Sequence, residues 1–168
     1  MKQFTQAEFE QVALDLELEL KQLNYLDEEI KKVQRIQADA EPELADILYE
    51  NLAYKLQNFY TGCERIFQII VTELNGALPT GANWHKRLLD RMTVEHSSRP
   101  AVISAETARV LRIYLGFRHL VRHIYGYELE LERVTQLIEQ YDEVWAQFEA
   151  DLRAFINWLT KTASLLDG

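Results

Sequence analysis

Residues 116–130 read GFRHLVRHIYGYELE, and two arginines, two histidines and two tyrosines fall within ten residues of this stretch. A guanidinium offers forked N–H donors that match the oxygens of a phosphate. An imidazole moves protons near neutral pH. Together these types point to a phosphate site with an acid/base group. On a helix, His119 and His123 are four apart and share a face; Arg118 and Arg122 share the neighbouring one. Arg118 and His123 are five apart, about 140° around an ideal helix. Three arrangements let them converge on one ligand: Arg118 reaches around the helix, the helix distorts near Gly116, or two copies of the chain meet across a symmetry axis.

The same residues also read as a solvated helix face that pairs with the acidic ELELE that follows. A metal reading is weaker. His-x-x-x-His can grip zinc from one helix turn, but Leu120 stands where the His-Glu-x-x-His pattern has its glutamate, and the flanking arginines repel a cation. No metal is therefore expected. NGALPTGAN (residues 75–83) does not match a phosphate-binding P-loop, and no Gly-x-Ser-x-Gly elbow occurs. Cys63 is the one cysteine, which excludes an internal disulfide and suits a reducing cytoplasm. Between Gly62 and Glu64 in a helical pattern, it reads as a buried structural thiol.

The net charge of −9 argues against nucleic acid as a partner, but the charge is segregated. Residues 1–84 hold 7 Lys+Arg and 15 Asp+Glu, residues 85–125 hold 8 and 3, and residues 126–168 hold 3 and 9. All four histidines lie in the basic middle block. That distribution is an electrostatic footprint for an anionic ligand on an acidic body; the alternative is basic residues paired with acidic neighbours. His85, Lys86 and Arg87 open a short helical segment, WHKRLL, and form a second basic group. They read either as part of the same anion-binding cleft or as a solvated first turn anchored by Trp84 and Leu88.

The elements that carry these residues are helical. Thr5 and Glu8 have capping-box spacing. Phe9, Val12, Leu16, Leu20, Leu23, Leu26, Ile30 and Val33 then recur at threes and fours, a helix of about 30 residues and ~45 Å. Pro42 suits the first turn of a second helix, which runs to Leu74. The short WHKRLLDRM helix and a loop, TVEHSSRPAVIS, follow. Ser104 is the expected N-cap of a fourth helix reaching about Gly126, and a fifth begins near Glu128. No segment alternates with period two. The expected fold is all-α, an up-and-down bundle of four long helices plus one short one, forming a single domain over residues 1–168. No apolar run approaches 18 residues and no signal-peptide h-region opens the chain, so a cytoplasmic protein without a membrane span is expected.

Arg118, four intervening residues, His123, Ile124 and Tyr125 make an Arg-x4-His-x-Tyr motif near the end of a long helix in a small all-α chain. This resembles the HepT-like toxins of the HEPN superfamily, the ribonuclease-type components of HepT–MNT toxin–antitoxin modules. The resemblance implies a homodimer with the two motif helices facing each other at a cleft, and metal-independent, cofactor-free RNA cleavage. His123 would act as acid or base at the ribose 2′-hydroxyl, and Arg118 would stabilise the phosphorane-like transition state. Tyr125 is similar to the tyrosine that an MNT nucleotidyltransferase partner adenylylates, which would silence the cleft. His119, Arg122, His85, Lys86 and Arg87 are then expected to position the RNA backbone. The alternatives are a non-catalytic HEPN-like nucleotide- or RNA-binding module, and a helical interaction protein whose long last helix serves a partner.

Overall fold

The computed structural model describes residues 2–123 and 130–167; for Arg122 and His123 it describes the backbone alone. The chain forms α1 (Gln6–Ala38), α2 (Pro42–Ile70), α3 (Trp84–Arg91), α4 (Ala105–His123) and α5 (Leu131–Leu166). Among the described residues there is no strand, and one isolated bridge pairs His96 with Arg99. The all-α bundle of four long helices and one short helix is therefore the observed fold. Among the described residues, no helix is long and apolar enough to cross a membrane.

The helix starts follow from side chains at their N-termini. Thr5 Oγ1 accepts from the Glu8 amide at 3.2 Å and Glu8 Oε2 accepts from the Thr5 amide at 2.8 Å, closing the capping box. Pro42 lies in the first turn of α2. Ser104 Oγ accepts from the Thr107 amide at 3.1 Å and caps α4. The same corner is tied to α5, because Asp151 Oδ2 accepts from the Ser104 amide at 3.0 Å and the Thr107 hydroxyl at 2.7 Å.

The end of α2 differs from the sequence expectation. The α-helix stops at Ile70, and one π-helical turn, Val71–Asn75, carries the chain to Gly76. The Gly76 amide closes that turn on the Val71 carbonyl at 2.9 Å, with φ at 98°, a left-handed value that glycine adopts without a Cβ clash.

The core lies where α1, α2, α4 and α5 meet. The Phe59 ring of α2 is its hub, edge-on to Tyr114, Tyr141, Trp145 and Phe148 at centroid distances of 5.6, 5.3, 6.2 and 6.3 Å. Such edge-to-face pairs add to area burial. Two of the buried tyrosine hydroxyls find partners: Tyr114 donates to the Leu137 carbonyl at 2.7 Å and Tyr141 to Asp27 at 3.0 Å. Gly62 lets α2 approach α1 closely, since a Cβ there would press into Leu23. Tyr114 and Phe117 are fully enclosed in this core. Leu120 and Val121, further along α4, are half-buried.

Candidate functional site

Arg118 sits on the core side of α4, with 4% of its side chain exposed. Across from it on α2 is Glu64, also buried, a residue the sequence reading did not single out. The pair is bidentate: Arg118 Nη1 donates to Glu64 Oε1 at 3.2 Å and Nη2 to Oε2 at 3.1 Å. Two parallel charge-assisted bonds fix the guanidinium plane. The Tyr60 ring lies under the guanidinium, 4.9 Å from its carbon, a cation–π contact in a desolvated place. Burial, and then the nearby Glu64 carboxylate, push the Tyr60 phenol well above its ordinary pKa, so it stays neutral.

His85 completes the cluster. The first turn of α3 brings its Nδ1 to 2.8 Å from Glu64 Oε2 and 3.1 Å from Arg118 Nη2. A carboxylate that takes both donors of a guanidinium fork accepts hydrogen bonds and has none to donate. Nδ1 can donate to the carboxylate or accept from the guanidinium but not both; the shorter contact, to an acceptor-only carboxylate, assigns the hydrogen to Nδ1. The ring packs on Trp84 at a centroid distance of 3.7 Å, and a third of the side chain is exposed. The structure thus brings together Arg118 from α4, Glu64 from α2 and His85 from α3.

Two other predicted site residues, Lys86 and Arg87, stand outside this buried cluster. Lys86 and Arg87 are exposed on the first turn of α3, and Arg87 donates to the Thr80 carbonyl at 3.0 Å. His119 is exposed on α4. The backbone of Arg122 and His123 forms the last described turn of α4; their side chains, and all of Tyr125 and Tyr127, lie outside the described residues.

Much of the basic block is engaged within the fold. Arg109 pairs with Glu106 at 2.8 Å and Arg112 with Asp90 at 2.6 Å. Arg99 is buried and donates to Asn75 Oδ1 and to the carbonyls of Arg91, Val94 and Pro100, which fastens the loop between α3 and α4. Burial lowers its pKa to about 10. Cys63 is buried, and desolvation pushes its thiol up, as a structural cysteine requires.

A family model described as HepT-like protein matches residues 51–159, well over half of the chain. That span contains Glu64, His85, Arg118 and His123. No curated protein and no solved structure matches the chain significantly.

Proposed function

The chain belongs to the HepT-like protein family, and on that premise we propose that it is the metal-independent endoribonuclease of a HepT–MNT-like toxin–antitoxin pair. The observation that carries the reading is the placing of Arg118: the motif arginine is held in a fixed plane at the junction of α2, α3 and α4, five residues before His123 on the same helix. In this reading the protein is a cytoplasmic homodimer, and its two α4 helices face each other so that the motif residues converge across the axis. His123 moves a proton at the ribose 2′-hydroxyl or the leaving oxygen. Arg118 stabilises charge on the phosphorane-like transition state. His119, Arg122, His85, Lys86 and Arg87 position the RNA backbone. An MNT-type transferase attaches AMP to Tyr125, adding bulk and negative charge at the cleft.

The burial of Arg118 sets a requirement for this reading. Its guanidinium must turn part of its donor fork from Glu64 toward a phosphate. The same burial favours a second reading, a non-catalytic nucleotide- or RNA-binding module in which Arg118 is purely structural. Product chemistry separates the two. Cleavage through the 2′-hydroxyl leaves 2′,3′-cyclic phosphate and 5′-hydroxyl ends, so RNA incubated with the protein in EDTA should acquire both. RNA that is bound but uncut, or cut only when a divalent metal is added, contradicts the ribonuclease reading.

A further inference from the structure

Cleavage through a 2′-hydroxyl needs two proton transfers. The 2′-O–H bond breaks as the 2′-O–P bond forms, and the departing 5′-oxygen takes a proton as the P–O5′ bond breaks. A single imidazole serves one of these at a time; each chain supplies one motif histidine, and the second imidazole can come from the partner's motif or from elsewhere in the fold. A second imidazole stands beside the motif arginine, with Nδ1 of His85 3.1 Å from Arg118 Nη2.

We propose that His85 is the general base of the reaction, with Glu64 as its positioning residue. The proposal rests on the ribonuclease reading and goes beyond it, because His85 changes from an RNA-gripping residue to a catalytic one. Glu64 accepts the Nδ1 hydrogen at 2.8 Å, so the neutral ring carries its lone pair on Nε2. A carboxylate behind an imidazole fixes this tautomer and stabilises the imidazolium that forms. Nε2 makes no hydrogen bond to any described residue, and the side chain is a third exposed. The Trp84 ring packs against the imidazole at a centroid distance of 3.7 Å, tilted 31° from its plane. His85 Nε2 takes the 2′-hydroxyl proton and His123 gives one to the 5′-oxygen; exchange with water resets both. The products are a 2′,3′-cyclic phosphate and a 5′-hydroxyl, and no further reactant is consumed.

The test compares His85→Ala and His123→Ala on an ordinary RNA oligonucleotide and on one whose scissile 5′-oxygen is replaced by sulfur, a leaving group that departs without protonation. On ordinary RNA, His85→Ala should lower kcat by about 10²-fold or more, the usual worth of a positioned acid or base, with RNA affinity unchanged within threefold. Added imidazole should restore part of that rate. On the sulfur substrate His123→Ala should recover and His85→Ala should not. His85→Gln and thermal melts identify a mere folding defect, because imidazole restores nothing to a misfolded chain. A wild type that cuts RNA while His85→Ala stays within threefold in kcat, or loses affinity alone, overturns the assignment of His85. A wild type that cuts neither substrate overturns the ribonuclease reading itself.

Discussion

Glu64 and Arg118 each occupy a place where the helix pattern calls for an apolar side chain. On α2 the core stripe runs Tyr60, Glu64, Phe67, Val71, and on α4 it runs Leu111, Tyr114, Arg118. A charge on such a stripe must find an opposite charge, because an isolated buried ion is far too costly. The helix stripe thus carried a signal that both are core charges in need of partners, one not used in reading the sequence; that they meet depends on how α2 and α4 pack, and that His85 joins them depends on how α3 docks, and neither was legible. Removing one partner should cost more than removing both. Glu64→Ala should lower stability by about 3–5 kcal/mol, and Glu64→Leu combined with Arg118→Met should recover most of that. Urea unfolding midpoints of the single and double variants measure it. A Glu64→Ala cost near zero would mean that the pair opens readily to water.

Glu8 gives the residue scale a pH signature. Hydrogen bonds from the Thr5 amide, then from Lys2 and the Thr5 hydroxyl, lower its carboxyl from 4.5 to about 2. Because the folded pKa is depressed, this stabilisation is present above about 4.5 and is lost as pH falls toward 2. Glu8→Gln should flatten that part of the acid limb of a stability–pH profile. Thr5→Ala should cost about 1 kcal/mol at pH 7 through loss of the cap. A Glu8→Gln profile parallel to the wild type between pH 5 and 2 would show that the box does not set the acid response.

At the scale of elements, signals were strongest where side chains cap or break helices. Thr5, Pro42, Ser104 and the glycine-containing loop 75–83 marked boundaries that the structure keeps within a few residues. The π turn at Val71–Asn75 had no such mark, because an i→i+5 bond requires no distinctive residue type; Gly76 reveals it only in hindsight. The close contact of α1 and α2 was hidden for a different reason. Gly62 looks like a weak helix position in isolation, and its use appears only when Leu23 is seen above it. Gly62→Ala gains helix propensity worth about 1 kcal/mol but overpacks against Leu23, and overpacking costs about 1–3 kcal/mol. The variant should therefore be less stable than the wild type by thermal melting. A higher melting temperature would show that Leu23 yields freely.

At the scale of the whole molecule, the segregated charge was visible in the sequence, but its availability was not. Arg99 and Arg118 are interior, while Arg109 and Arg112 pair with Glu106 and Asp90. The surface left to an anionic ligand is consequently smaller than the count of basic residues suggested, and Lys86 and Arg87 on α3 stand out within it. Replacing both with glutamine should weaken RNA binding and make the slope of log K against log salt shallower by roughly 1–2, one phosphate contact per charge. An unchanged slope removes them from the interface. The proposed dimer should appear in light scattering at micromolar concentration as a particle of twice the chain mass, and a monomer would remove the composite cleft.

The central claim is that the motif histidine performs chemistry and does not merely help the helix hold RNA. RNA turnover in EDTA, measured together with RNA affinity for the wild type and His123→Ala, tests it most directly. Cleavage by the wild type and none by His123→Ala is expected, with binding kept within about 1–2 kcal/mol, because a side chain that acts only in the transition state adds little uniform binding energy. Equal cleavage by the two proteins, or a loss of cleavage that only mirrors a loss of binding, would contradict it.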